Sequence, residues 1–101
     1  MFSSRLKSER ADMLAKALLT LENEEDCDRL FEDLFTIREI QDLGQRLEVA
    51  DMLSRKATYA EIVEKTGVST ATIGRVNRAL NYGAEGYQRV LSRIQEKETN
   101  E

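Results

Sequence analysis

The chain has 101 residues, 41% of them apolar and 34% charged, with a formal net charge of −4, a mix that supports one core and excludes plain disorder. The absence of histidine excludes histidine-based triads, imidazole proton shuttles and the common zinc sites. A single cysteine, Cys27, excludes an internal disulfide, and the lack of proline favours helices joined by short turns.

The opening stretch MFSSRLKSER lacks the apolar core of a signal peptide, and no apolar run approaches the ~20 residues of a spanning helix. A reducing, cytoplasmic setting without a membrane is therefore expected. Leu14, Ala17, Leu18 and Leu21 form an i, i+3, i+4, i+7 stripe, which predicts a helix over residues 5–21. Asn23 is placed to cap a second helix, with Glu24, Glu25 and Asp26 in its first turn, where acids favour the dipole. That helix carries Cys27, Leu30, Phe31, Leu34 and Phe35 on an apolar stripe, and Cys27 reads as a buried thiol. Thr36-Ile-Arg-Glu39 is a capping-box pattern opening a long helix, with Ile37, Ile40, Leu43, Leu47, Ala50 and Leu53 on one face. A second box, Thr58-Tyr-Ala-Glu61, starts a short helix that ends near Thr66. Gly67 suits a turn needing positive φ, and Ser69 or Thr70 caps a helix from Ala71 to Leu80. Asn81-Tyr82-Gly83 breaks it, and Tyr87, Val90, Leu91 and Ile94 mark a last amphipathic helix before a polar tail. The expectation is one all-α domain over residues 1–101, six helices and no strand, with 1–4 and 96–101 frayed.

The charge is uneven. Residues 22–42 hold nine acids against Arg29 and Arg38, whereas residues 65–84 hold Lys65, Arg75 and Arg78 and no acid. The stretch YAEIVEKTGVSTATIGRVNR (residues 59–78) has what a helix-turn-helix needs. Gly67 supplies the turn, and Ile62, Val68, Ile73 and Val76 stand at the spacing of a shared small core. Ser69, Thr70, Thr72, Arg75, Asn77 and Arg78 are left on the outer side, and Gly74 leaves room for close approach to DNA. Thr70, Thr72 and Arg75 suit base edges, while Lys65, Asn77 and Arg78 suit phosphates. Tyr82, just past this helix, reads as packing on the last helix, with contact to the DNA backbone as the other option. Without DNA, the same residues describe a helical corner with a solvated polar face.

The segments FEDLFTIREIQDLGQRLEV (residues 31–49) and TYAEIVEKTGVSTATIGRVNRALNYGAEGY (residues 58–87) resemble the Trp repressor-like family, and within it the YerC/YecD type. The resemblance implies a six-helix fold, an intertwined homodimer, a helix-turn-helix at about residues 58–80 and sequence-specific transcriptional regulation. In the Trp repressor, tryptophan sits between the core helices and the recognition helix. The resemblance carries that site onto Thr36, Arg46 and Arg75. Two positions depart: Val76 replaces a glycine and adds bulk where the ring would lie, and Ala79 replaces a serine and removes a polar partner. Losing one hydrogen-bond partner costs about 0.5–1.5 kcal/mol. A small-molecule effector stays open, and the two departures argue against tryptophan. No cofactor, metal or catalytic activity is expected.

The reading is a DNA-binding regulator of pseudo-palindromic sites, with double-stranded DNA and a second copy of itself as partners. Its rival is a helical protein-interaction module without DNA binding, supported by the acidic half of the chain.

Overall fold

The computed structural model describes residues 1–100, and these form six α-helices: α1 Glu9–Leu19, α2 Glu24–Leu34, α3 Ile37–Ser54, α4 Tyr59–Thr66, α5 Thr70–Tyr82 and α6 Gly86–Asn100. No strand occurs among the described residues. The chain divides into two compact units, Met1–Thr36 and a second that starts at Ile37.

In the first unit, Ser8 fixes the start of α1, its side chain accepting the Ala11 N–H at 3.0 Å. Thr20 closes the other end, its hydroxyl donating to the Ala17 carbonyl at 2.7 Å. The helix is thus shorter at both ends than the expected 5–21, because local caps, not the apolar stripe, set its limits. Asn23 caps α2 by accepting the Asp26 N–H at 2.8 Å, as its position predicts. The Phe31 and Phe35 rings meet edge to face with centroids 5.8 Å apart. Cys27 is half-buried, not buried, because α1 and α2 contain no fully buried residue.

The second unit has a true core. Val49, Ala50, Ile62, Val68, Ile73, Val76 and Leu91 are buried together, and Met52, Leu53, Ala57 and Tyr87 pack against them. α3 packs on α4, α5 and α6, and α5 packs on α4 and α6. The unit buries α3 only at Val49 and Ala50. Ile37, Leu43 and Leu47, on the apolar face read from the sequence, stay 80%, 40% and 43% exposed. Periodicity identified an apolar face, but what covers a face depends on neighbours that periodicity does not specify.

Thr58 caps α4, accepting the Glu61 N–H at 3.2 Å and donating to Glu61 Oε1 at 3.0 Å. α5 continues through Asn81 and Tyr82 and stops only at Gly83, two residues beyond the expected break at Asn81. A Cβ at Gly83 would run into the carbonyl oxygen of Ala79, whose lone pair already accepts the Gly83 N–H. Gly83→Ala is therefore expected to cost about 1–3 kcal/mol. Gly86→Ala, whose Cβ would face open space at the start of α6, should be neutral or gain up to about 1 kcal/mol. Urea unfolding of the two variants checks this, and equal midpoints would refute it.

α6 runs to Asn100, through the tail expected to fray, and Glu101 lies outside the described residues. Tertiary bonds hold it. The Gln95 amide donates to Asp51 Oδ1 at 3.0 Å and to Ser54 Oγ at 3.1 Å, and Arg55 donates to Glu98 Oε2 at 3.0 Å. The hydrogen bonds it donates to Glu98 first, then to Asp51, hold the Arg55 guanidinium above its usual range. No helix among the described residues is long and apolar enough to cross a membrane.

Candidate nucleic-acid interface

The turn between α4 and α5 is built from its own sequence. Gly67 adopts φ 76°, a left-handed geometry that costs other residues about 1–2 kcal/mol, and its N–H closes α4 on the Val63 carbonyl at 2.9 Å. The Thr66 hydroxyl donates to the Ile62 carbonyl at 2.7 Å and accepts the Val68 N–H at 3.3 Å. Val68 is buried beneath the turn. Ser69, not Thr70, is the cap of α5, accepting the Thr72 N–H at 3.2 Å.

Behind α5, Ile73, Val76 and Leu80 are buried. On its outer side Thr70, Ala71, Arg75, Arg78, Ala79, Asn81 and Tyr82 are exposed, and Thr72, Gly74 and Asn77 are half-buried. Arg75 and Arg78 stand one turn apart on that side, with no carboxylate between residues 65 and 84. Tyr82 is 88% exposed, so it does not pack on α6 as the sequence suggested; α5 extends past the expected break and carries the ring outward. Lys65, exposed in the last turn of α4, lies 4.0 Å from the Glu48 carboxylate of α3. A Cβ at Gly74 would meet nothing within 4 Å, so packing in this chain does not require glycine there.

Arg46 of α3 and Arg75 of α5 line one cleft of about 420 Å³, together with Asp42, Gln45, Thr72, Val76, Ala79 and Tyr87. Both departures read from the sequence, Val76 and Ala79, therefore face the same space as the two arginines. Thr36 belongs to the first unit and is not part of this lining. Sequence reasoning missed Asp42, Gln45 and Tyr87. They come from α3 and α6, and no spacing along the chain marks residues that meet only by helix packing. Asp42 also lies 3.7 Å from Arg38 on its own helix.

Comparison with known proteins gives concordant matches. Residues 9–95 match the family model of the Trp repressor protein. The uncharacterized protein YerC of Bacillus subtilis (strain 168) is 50% identical over 95 residues, covering 94% of this chain and 91% of that one. The crystal structure of a TrpR-like protein from Eubacterium eligens superposes with a TM-score of 0.84 at 50% identity, over 90% of this chain and 94% of that chain. A candidate Trp repressor from Staphylococcus aureus gives 0.83 at 47% identity, over 90% and 91% of the two chains.

Proposed function

The chain belongs to the Trp repressor protein family, and on that premise we propose that it is a sequence-specific transcriptional regulator, a cytoplasmic homodimer that reads pseudo-palindromic DNA through a helix-turn-helix formed by α4 and α5. The carrying observation is the outer side of α5: exposed Arg75 and Arg78 on an acid-free stretch of an acidic chain, backed by buried Ile73, Val76 and Leu80. A rigid rear and a cationic front are what a helix in the major groove requires. Thr70, Thr72 and Arg75 face base edges, Lys65, Ser69, Asn77 and Arg78 face phosphates, and Gly74 admits the backbone of DNA.

The homodimer rests on uncovered apolar surface. α1 and α2 contain no fully buried residue within one chain, and Leu14, Leu18, Leu34, Ile37, Leu43 and Leu47 are exposed. Exposed apolar surface of this kind on each unit marks an interface, and a second copy supplies a matching one by two-fold symmetry. That symmetry sets two recognition helices about 34–36 Å apart, on successive major grooves. The cleft holding Arg46 and Arg75 is the place for a small-molecule effector, and Val76 and Ala79 argue against tryptophan there. Nothing in the reading calls for a cofactor or for catalysis.

The test is in vitro selection of random duplex DNA on the full chain, paired with light scattering. The expected result is a motif of two inverted half-sites about one helical turn apart, bound by a species of twice the 11.6 kDa chain mass. A monomer would undo the two-groove geometry. Absence of any enriched motif would shift the reading to a protein-interaction module acting through its acidic or apolar helices.

A further inference from the structure

We propose that Tyr82 is a DNA-backbone residue: its phenol hydroxyl donates to a phosphate at the wall of the major groove, a contact that adds affinity without adding salt dependence. The inference rests on the regulator reading above and adds to it a residue that the charge pattern of α5 does not mark.

Tyr82 is the last residue of α5 and is 88% exposed. Counting back along the helix by four, three and four residues gives Arg78, Arg75 and Ala71, all exposed, and that spacing keeps the four on one face. It is the face opposite buried Ile73, Val76 and Leu80. Among the described residues the Tyr82 hydroxyl has no hydrogen-bond partner and its ring meets no other ring. Its neighbour Asn81 differs: that side-chain amide is spent inside the helix, donating to Asn77 Oδ1 at 2.9 Å and to the Asn77 carbonyl at 3.0 Å. The companions of the ring on its face are two guanidinium groups, and no carboxylate lies between residues 65 and 84. A polyanion suits that company better than a protein surface does.

Helix geometry sets what the ring reaches. A recognition helix brings its N-terminal residues to the base edges. At about 1.5 Å per residue, Tyr82 lies about 18 Å beyond Thr70 along the axis, whereas the major groove is only about 12 Å wide. With Thr70 and Thr72 at the floor of the groove, the last turn of α5 has passed out to the phosphates of its wall. Phosphate oxygens accept from tyrosine hydroxyls as they do from arginine. The two kinds of contact differ in one respect. An arginine on a phosphate releases a counterion, and an uncharged phenol releases none. Arg78 and Tyr82, one turn apart, are therefore separable by salt.

The experiment is a salt series of fluorescence anisotropy titrations with the wild-type chain and Tyr82→Phe, on a selected site and on a scrambled duplex. Tyr82→Phe keeps the ring and removes only the hydroxyl of an exposed side chain, so its melting midpoint should equal that of the wild type. It should weaken binding of the dimer by about tenfold, about threefold from each subunit, equally on both duplexes and with the salt slope unchanged. Replacing single phosphates of the selected site by methylphosphonates should then find one position at the edge of each half-site where the wild type loses affinity and Tyr82→Phe loses less, the coupling expected of two changes that remove one contact. Affinities of Tyr82→Phe equal to those of the wild type, a loss confined to one base position, or no coupled phosphate would overturn the inference and leave the regulator reading standing. A fall in the mass seen by light scattering with Tyr82→Ala would place the ring in an interface between copies and overturn it as well. No enriched motif with the wild-type chain would overturn both readings.

Discussion

Ile73→Ala is expected to destabilise the unit that starts at Ile37 by about 2–5 kcal/mol, a large share of the roughly 5–15 kcal/mol that holds a domain folded. Ile73 has 0% exposure and lies in the same core as Val49, Ala50, Ile62 and Val68, contributed by α3, α4 and the turn. Truncation leaves a cavity in the one place where these elements meet, and the remaining side chains have little slack with which to fill it. Ile73→Val removes a single methylene and should cost only about 0.5–1.5 kcal/mol. In a domain of this size each kcal/mol moves the melting midpoint by about 4–8 °C, so the alanine variant should melt at least about 8 °C below the wild type. Thermal unfolding followed by far-UV circular dichroism, at one fixed protein concentration because a dimer's midpoint depends on it, checks the pair. A valine variant that melts no higher than the alanine variant would show that Ile73 is not closely packed. Because Ile73 sits directly behind Arg75 on α5, DNA binding by the alanine variant would report unfolding, not recognition.

Much of this was legible from residues that act locally. Ser69 and Thr58 are caps in the structure because a cap needs only its own side chain and an N–H three residues on. Gly67 declares a left-handed turn for the same reason: no other residue adopts that backbone so readily. The core of Ile62, Val68, Ile73 and Val76 follows from spacing across one short turn. What was not legible depends on distant partners. The bonds of Gln95 to Asp51 and of Arg55 to Glu98 tie α6 to residues more than forty positions away, which no local pattern marks. The apolar face of α3 was legible as apolar, but not how much of it one chain covers: the second unit buries only Val49 and Ala50. In the cleft, Arg46 and Arg75 came from the family resemblance, whereas Asp42, Gln45 and Tyr87 emerge only when α3, α5 and α6 are packed.

Binding of the dimer to its site should weaken by about two orders of magnitude between roughly 50 mM and 200 mM salt. Two cations per subunit, Lys65 and Arg78, are assigned to phosphates, so four counterions are released and the slope of log affinity against log salt should be about −3.6. The two do not contribute equally. Arg78 is exposed and has no ion pair among the described residues, so its charge is fully available. Lys65 lies 4.0 Å from Glu48 and must exchange that carboxylate for a phosphate, which offsets part of what it contributes. Arg78→Ala should therefore reduce the magnitude of the slope by about two, one for each subunit, and weaken every DNA sequence alike. Lys65→Ala should do less, and Glu48→Gln should strengthen binding by releasing Lys65. Fluorescence anisotropy titrations across a salt series, on a selected site and on a scrambled duplex, measure all three. If Arg78→Ala altered base preference while leaving the slope unchanged, Arg78 would be reading bases and the phosphate assignment would be wrong. The chain's net charge of −4 sharpens the contrast. Repulsion between the acidic remainder and DNA suppresses nonspecific binding, so attraction has to come from the acid-free face of α5 and the end of α4.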